Sequence, residues 1–324
     1  MIKKRAPRAL GFIFIASLLL SGCSGGILDP KGQVGVDEKN LILFSTVLML
    51  LVVIPVIFMT IYFAWKYRAG HNQAVYDPKW DHSTRIELVV WLIPCILIVI
   101  LGAVTWVTTH DLDPYKPLEG KGDHLEIDVV SLNWKWLFIY PDQGIATVNE
   151  LVIPAGVPVK FRLTSESVMN SFFIPQLGSQ IYTMAAMETK LHLIADEPGT
   201  YDGFSANYSG AGFSGMKFKT IATPTQQDFD AWVGLVRSSH QTLNDRSYQS
   251  LTVPTEDDPV SYYANVDDGL FDRIVMKYMR HHGHTPMTDQ TMSAHMHKTS
   301  TDAPEMPAMA APQETLAASS GTEE

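Results

Sequence analysis

The small number of cysteines is the feature of the composition that excludes most about this protein. Only Cys23 and Cys95 occur among 324 residues, which excludes a four-thiolate metal site and a framework of several disulfides. Basic charge is also scarce, because 24 lysines and arginines stand against 34 aspartates and glutamates, for a formal net charge of −10. Nucleic-acid-binding proteins normally carry a basic patch, so the acidic balance argues against nucleic acid as a partner. No GxxxxGK[ST] phosphate loop occurs either.

The N-terminus has the pattern of an export signal. Four basic residues precede the short apolar run LGFIFIASLLL (10–20), and Leu20-Ser21-Gly22-Cys23 follows, in the order of a bacterial lipoprotein signal. We predict a signal peptide over 1–22, after which Cys23 becomes the mature N-terminus and carries lipid, including palmitate. An ordinary buried or free thiol is the alternative interpretation of Cys23.

Two long apolar runs come next, LILFSTVLMLLVVIPVIFMTIYFAW (41–65) and LVVWLIPCILIVILGAVTWVTT (88–109). Neither contains a charge, and each exceeds the ~20 residues that a helix needs to cross a bilayer. They predict transmembrane helices over 41–66 and 86–109, after a periplasmic segment over 23–40. The intervening loop, 67–85, carries Arg68, Lys79 and Arg85, and positive charge in a short loop places it in the cytoplasm. The protein is therefore predicted to be a multi-pass lipoprotein of the bacterial inner membrane, with its C-terminal part in the periplasm.

The pattern changes to short, often alternating segments beyond the second run. Seven of them predict strands separated by Gly, Pro, Asn and Asp: 125–130, 134–140, 149–154, 159–164, 171–175, 190–195 and 216–222. This spacing predicts an all-β sandwich over 110–223. An extension over 224–280 carries two amphipathic patterns, 225–239 and 269–280, which predict short C-terminal helices. The His- and Met-rich tail, 281–324, has too few large apolar residues to form a core and is predicted to be disordered.

One loop identifies a family. Residues 199–218, GTYDGFSANYSGAGFSGMKF, follow the frame Y-x-G-x-x-x-x-x-x-G-x-x-x-S-x-M. Together with two spans and an exported sandwich, this frame resembles subunit II of the haem–copper respiratory oxidases over roughly 27–280. The resemblance implies a cupredoxin-like sandwich. In the family members that oxidise cytochrome c, it also implies a two-copper centre in a loop similar to YxGxCxExCGxxHxxM, with one more His in a context like VxHSFxxP.

The copper ligands of that family are replaced in this chain. Asn170 stands where the resemblance places the earlier His, Ser205 and Ser209 replace the two Cys, and only Met216 remains. Asn207 replaces the Glu between the Cys, and Phe213 replaces the second His. Because copper favours thiolate and imidazole ligands, we expect no metal and no cofactor in this chain.

The loss of electron-entry copper implies a different electron donor. The stretches GILDPKGQVG (26–35), FAWKYRA (63–69), WKWLFIYPDQGIATVNE (134–150), MNSFFIPQLGSQIY (169–182) and YDGFSANYSG (201–210) resemble the cytochrome bo-type branch of the family, which oxidises ubiquinol. This resemblance implies a subunit of a proton-pumping ubiquinol oxidase that reduces O2 to water in the aerobic respiratory chain. Haems and copper would lie in partner subunit I, accompanied by subunits III and IV. This chain would cap and anchor subunit I and contribute to proton uptake.

Two other functions compete with this one. The tail contains five His (281, 282, 284, 295, 297) and five Met (287, 292, 296, 306, 309), which would suit a membrane-anchored copper-binding lipoprotein. A solvated extension without ligand geometry is the plainer interpretation of the tail. The third function, a copper subunit with unusual ligands, conflicts with the missing cysteines.

Four further residues have two interpretations each. The resemblance places Glu87 at the mouth of a proton channel into subunit I, while Thr84-Arg85-Ile86-Glu87 also fits a helix capping box. Trp134 and Trp136 could pass electrons in copper-bearing relatives, but without copper we expect them to pack the sandwich. His192 alternates with Leu191 and Leu193, so we expect a structural histidine rather than a metal ligand.

Overall fold

A computed structural model of the protein describes residues 26–68 and 81–279. The predicted lipid site Cys23 and the His- and Met-rich tail both lie outside the described residues. Two long helices come first, α1 (Gln33–Lys66) and α2 (Thr84–Asp111). Both are apolar around their whole circumference and exposed in the isolated chain, with mean hydropathies of 3.0 and 2.8 over their most apolar stretches. Such helices are stable in lipid or against other spanning helices, so the two predicted membrane spans are confirmed.

Helix α1 begins eight residues before the apolar run, because its first two turns contact the outer domain. Lys31 N donates to Gln176 O at 2.6 Å, and Gly35 N donates to Leu177 O at 3.2 Å. A Cβ atom on Gly32 would lie 2.3 Å from the carbonyl oxygen of Ile194, so only glycine permits this approach. The outer domain is therefore fixed to the end of α1.

The outer domain is the predicted β-sandwich, with two main sheets and a short two-stranded one. The six-stranded sheet has the order β12-β3-β2-β1-β5-β8, with β1 (Leu125–Ser131), β2 (Trp136–Tyr140), β3 (Ile145–Val148), β5 (Val159–Ser165), β8 (Thr189–Leu193) and β12 (Ser261–Tyr263). The five-stranded sheet has the order β4-β10-β9-β6-β7, with β4 (Glu150–Pro154), β6 (Asn170–Phe173), β7 (Ile181–Thr183), β9 (Gly199–Ser205) and β10 (Lys217–Thr223). The third sheet pairs β11 (Thr242–Leu243) with β13 (Asn265–Val266).

All seven predicted strands are present, but the structure adds others. Strand β9 occupies the first half of 199–218, which the sequence analysis treated as a loop. The two glycines and the aspartate of GTYDGFS disfavour a strand, yet these residues pair with β10 along their length, for example Gly203 with Phe218. A Cβ atom on Gly203 would lie 2.1 Å from the Phe218 ring, so the glycine is required by packing inside the strand.

Aromatic rings fill the space between the two main sheets. Phe172 from β6 and Phe218 from β10 stack with ring centroids 5.2 Å apart, and Trp136 from β2 meets Phe172 edge-on at 5.3 Å. Because strand side chains alternate, Leu137 and Ile139 of β2 point to the opposite face. There they pack under the C-terminal extension in a second apolar cluster. The six-stranded sheet is therefore covered on both faces.

The extension consists of α3 (Gln226–Arg237), α4 (Asp245–Leu251) and α5 (Leu270–Met279). Helices α3 and α5 fall where the sequence predicted them, whereas α4 was not predicted. Glu166, only 5% exposed, holds the last two helices to the sandwich. Its carboxylate accepts from the hydroxyl of Tyr248 at 2.6 Å, from that of Tyr278 at 3.1 Å, and from the ammonium of Lys277. A buried carboxylate with three donors is stable only while all three stay in place.

Candidate functional site

At one end of the sandwich lie the residues that we call the altered copper frame, which stand at the positions of the family's copper ligands: Asn170, Ser205, Asn207, Ser209, Phe213 and Met216. Strand β6 supplies Asn170 and strand β9 ends at Ser205, and these two strands pair antiparallel. Ser205 N donates to Met216 O at 3.0 Å, which closes the loop between β9 and β10. Ala206 N donates to Ser171 O at 3.0 Å, so the loop is also joined to β6. The sequence therefore identified residues that the fold does bring together.

A chain of side-chain hydrogen bonds occupies the centre of this frame. Ser205 Oγ donates to Asn170 Oδ1 at 3.0 Å, and Asn170 Nδ2 donates to Ser131 Oγ at 2.7 Å and to Val168 O at 3.2 Å. Asn170 is 1% exposed, so its amide must be satisfied within the protein. We call Ser131, Asn170 and Ser205 the polar triad. Ser131 is the member that the sequence analysis missed, since it lies on β1, far away in sequence.

The rest of the frame also serves packing and backbone bonding. Asn207 Nδ2 donates to Met169 O at 3.0 Å. Phe213 lies in a 3-10 helix, Ala211–Gly215, and meets the ring of Tyr208 edge-on at 5.6 Å. Met216 is fully buried in the core between the sheets. Ser209 contributes its carbonyl oxygen to a bond from the Trp134 indole, while its own buried hydroxyl has no partner among the described residues.

Trp134 and Trp136 both pack, as the sequence predicted, but in different places. Trp136 is fully buried in the core, whereas Trp134 lies over the loop with its Nε1 donating to Ser209 O at 3.1 Å. Trp134 has a φ of 64°, an unfavourable backbone conformation for a bulky residue, which the surrounding contacts must stabilise. A Cβ atom on Gly212 would lie 2.5 Å from the indole, so glycine allows the ring to lie on the loop. Trp134 therefore holds the loop from outside.

These residues do not fit a two-copper centre. The frame offers hydroxyls, amides, one aromatic ring and one thioether, and copper selects thiolate and imidazole. The amide and hydroxyl groups of the polar triad are already bonded to each other. Among residues 26–68 and 81–279, no group of three or more His, Cys, Asp or Glu side chains is arranged to hold a metal.

Glu87 lies in the first turn of α2 and is exposed in the isolated chain. The expected capping box is wrong in its register, because the helix is capped at Ser83 and Thr84 is already helical. No side-chain capping bond forms, and Thr84 Oγ1 lies 3.2 Å from His82 Nε2 instead. A carboxylate in the first turn still interacts favourably with the helix dipole. Glu87 thus lies at the start of the span and does not take part in a capping box.

His192 is placed as a structural residue. It lies on β8, is largely buried, and its Nδ1 donates to the carbonyl oxygen of Pro114 at 3.0 Å. This bond joins the segment after α2 to the sandwich. Cys95 is exposed on α2 in the isolated chain, as expected for a residue of a membrane span.

A buried charge cluster was missed by the sequence analysis. Asp128 on β1 and Arg162 on β5 are register neighbours, with Asp128 Oδ1 3.4 Å from Arg162 Nη1. Arg162 also pairs with Glu188 at 3.0 Å and with Asp272 of α5 at 2.8 Å. Burial raises the pKa of Asp128 to about 7, although the charge of Arg162 acts in the opposite direction. The charged residues that alternate in LEIDVV and VKFRLT were the available signal.

Comparison with known proteins places the chain in a family. Residues 142–222 match the family described as cytochrome c oxidase subunit II, periplasmic domain, and residues 237–282 match the COX aromatic-rich motif. Cytochrome bo(3) ubiquinol oxidase subunit 2 of Pseudomonas putida is 59% identical over 279 residues, covering 86% of this chain and 88% of that protein. The protein of the same name from Pseudomonas aeruginosa is 57% identical over 284 residues, covering 87% of this chain and 85% of that protein.

A more distant relative supports the same assignment. Cytochrome bo(3) ubiquinol oxidase subunit 2 of Buchnera aphidicola subsp. Baizongia pistaciae is 45% identical over 273 residues, covering 84% of this chain and 96% of that protein. The match covers most of both chains, as it does for the two Pseudomonas proteins. The chain therefore belongs to the cytochrome bo(3) ubiquinol oxidase subunit 2 family, within the haem–copper oxidase subunits II.

Proposed function

We propose that this chain is the non-redox subunit II of a proton-pumping ubiquinol oxidase. The observation that carries the proposal is the polar triad, which fills the place where relatives that oxidise cytochrome c would hold copper ligands. Ser205, Asn170 and Ser131 satisfy one another at 3.0 and 2.7 Å and leave neither a thiolate nor an imidazole for a metal. Electrons from ubiquinol would then enter the complex without passing through this chain.

In this proposal the haems and copper lie in partner subunit I, and subunits III and IV complete the complex. The contribution of this chain is mechanical and electrostatic. Helices α1 and α2 anchor the complex in the membrane, and the sandwich caps the outer face of subunit I. The bonds from Lys31 and Gly35 to residues 176 and 177 hold that cap in a fixed orientation on α1.

Glu87 supplies the one titratable group that we assign to proton uptake. Its position in the first turn of α2 supports this assignment, because positive charge in the preceding loop favours the cytoplasmic side of the membrane, from which protons would be taken up. Carboxylates at a membrane edge are suitable proton acceptors. Lipid on Cys23 would add a second attachment to the membrane.

Gentle purification of the tagged chain in detergent tests the proposal. We expect haem absorbance and ubiquinol oxidase activity to accompany the chain, and copper and haem to be absent once it is separated from its partners. Recovery of the chain without haem, or copper bound to the separated sandwich, would refute the proposal. Removing 281–324 tests the copper-binding alternative, because only that alternative predicts copper bound to the separated full-length chain and lost with the tail.

A further inference from the structure

A deep crevice lies between the outer ends of the two spans and the underside of the sandwich. Its volume is about 1360 Å³, and its walls come from the first turns of α1, the end of α2 with the segment up to residue 119, and residues 173–192 of the sandwich. The bond from His192 to Pro114 and the bonds from residues 31 and 35 to the sandwich hold its walls together. The crevice is therefore built into the fold.

The crevice has strongly one-sided charge. Five carboxylates line it, and one lysine is the only fully charged cation among the lining residues: Asp37, Glu38, Asp111, Asp113 and Glu119 against Lys116. Lys116 pairs with Asp111 at 3.8 Å, and Glu38 is hydrogen-bonded to Ser179. Asp37 and Glu119 form no ion pair within the part of the chain that the structure describes. The carboxylates of Asp37 and Glu119 are thus available to pair with a cation of another molecule.

The walls also expose apolar side chains. Ile27 is 41% exposed and Ile42 is 43% exposed, and Leu41 continues the same surface toward the apolar part of α1. An occupant that covers these residues also removes the nearby carboxylates from water. Desolvating unpaired carboxylates is costly unless a cation meets them. The occupant must therefore combine apolar contacts with positive charge.

We propose that the crevice is the docking site for a basic, partly apolar segment of the haem-bearing partner subunit, exposed at the outer membrane surface. This inference rests on the proposed function, since it assigns a place on this chain to that partner. The charge complementarity is specific, because the five carboxylates would repel an acidic loop or the phosphate of a lipid. The crevice is also continuous with the apolar part of α1, because Leu41 and Ile42 of that helix line it, and a spanning partner would pack against such a helix.

Photo-crosslinking in the assembled oxidase tests the location. Benzoylphenylalanine at Gln180, an exposed residue of the crevice, is compared with the same group at Asp142, an exposed residue in the turn between β2 and β3. We expect the Gln180 variant to link to a lysine- or arginine-bearing segment of the haem subunit, identified by mass spectrometry, and the Asp142 variant not to. Linkage only to phospholipid, only within this chain, or to a segment without basic residues would overturn the inference.

Charge reversal tests the chemistry. We expect the pair Asp37→Lys and Glu119→Lys to lower the haem retained per chain by roughly tenfold in low-salt detergent, as for loss of a desolvated charge pair. The neutral pair Asp37→Asn and Glu119→Gln should give an intermediate loss. The matched pair Asp142→Lys and Asp230→Lys changes net charge equally on exposed carboxylates outside the crevice and should retain haem.

Equal haem retention in the crevice double variant (Asp37→Lys and Glu119→Lys) and in the matched double variant would refute the role of charge in docking. If the unsubstituted chain retains no haem protein, the proposed function itself fails. If it retains haem but the crosslink goes elsewhere, only the crevice assignment fails.

Discussion

Ser205 Oγ donates a hydrogen bond of 3.0 Å to Asn170 Oδ1, and this bond joins two strands at two of the positions where the family resemblance implies copper ligands. Asn170 Nδ2 in turn donates a hydrogen bond of 2.7 Å to Ser131 Oγ. Three strands, β1, β6 and β9, are linked by neutral side chains that need no ion. The loop thereby keeps its position through hydrogen bonds and through packing against Trp134.

The polar triad should contribute measurable stability to the outer domain. Asn170→Ala removes the amide partner of the buried Ser131 hydroxyl and leaves the Ser205 hydroxyl with only its 3.4 Å bond to the carbonyl oxygen of Asn207. We therefore expect a loss of about 1–3 kcal/mol in the free energy of unfolding. Denaturant unfolding followed by tryptophan fluorescence measures it. Asn207→Ala is the control, because its amide reaches only the carbonyl of Met169, whose residue is partly exposed. Equal losses of unfolding free energy in both variants would mean that the polar triad contributes no more stability than the single bond of Asn207.

Asp128 should make the stability of the outer domain depend on pH. Its pKa of about 7 lies above the ordinary value of 3.8, because burial disfavours the charged form more than Arg162 stabilises it. The folded protein therefore holds this proton more tightly than the unfolded chain does. The resulting stability is fully present below about pH 4 and is lost as the pH rises to about 7.

Asp128→Asn removes that titration while keeping the shape of the side chain. We expect the variant to lose less stability than the unsubstituted chain between pH 4 and 7, measured as melting temperature against pH. Glu126, Glu188, Asp272 and Arg162 also face this carboxyl, and they remain in the variant. Asp142→Asn, on the surface, is the control. Parallel melting curves for Asp128→Asn and the unsubstituted protein would contradict the assignment.

Glu87 should affect turnover without affecting assembly. Glu87→Gln keeps the shape of the side chain and removes its ionisation, so we expect slower ubiquinol oxidation at unchanged haem content. Glu87→Asp retains a titratable group at the start of α2 and should keep more of the activity. A turnover rate that is the same in Glu87→Gln and the unsubstituted enzyme would reduce Glu87 to a favourable charge at the helix N-terminus.

Cys23 should be required for processing but not for membrane attachment. Cys23→Ser blocks lipidation, so we expect an uncleaved precursor that is larger on a gel and lacks incorporated palmitate. The precursor should still sediment with the membrane, because two spans anchor a chain far more firmly than acyl chains do. Cys95→Ser, in the second span, should be processed normally. Mature-sized protein from the Cys23→Ser gene would remove the lipoprotein assignment.

Hydropathy and alternation were sufficient to predict the spans and seven strands, because burial in lipid or in a two-sided core leaves a direct pattern. Strand β9 was missed because its glycines are required by the Phe218 ring rather than by a turn. Helix α4 was missed because DRSYQSL buries only Tyr248, and its start depends on the Asn244–Ser247 capping box. A single apolar residue gives no helical period.

The candidate site was likewise predictable only in the part that depends on local sequence. The frame of 199–218 located Ser205 and Met216, and the VMNSFFIP stretch located Asn170, since these positions are local in sequence. Ser131 and Trp134 were not assigned to the site, because their contacts cross 39 and 75 residues of sequence. The Asp128–Arg162 cluster was missed for the same reason, since parallel pairing of β1 and β5 brings together segments that no local pattern connects.

Restoring the ligands should restore a copper site if the loop keeps the family path. The variant carries Asn170→His, Ser205→Cys, Asn207→Glu, Ser209→Cys and Phe213→His, with Met216 already present. The bond from Ser205 N to Met216 O and the packing of Trp134 on Gly212 do not depend on the replaced side chains. Metal would therefore bind a largely formed loop. We expect the intense visible absorption of copper–thiolate bonds after copper is added to the purified variant. A control with the same His and Glu substitutions but with Ser205 and Ser209 unchanged should lack that absorption. A folded fivefold variant that stays colourless would show that the loop has moved away from copper geometry, and absorption in the unsubstituted chain would contradict the loss of the site.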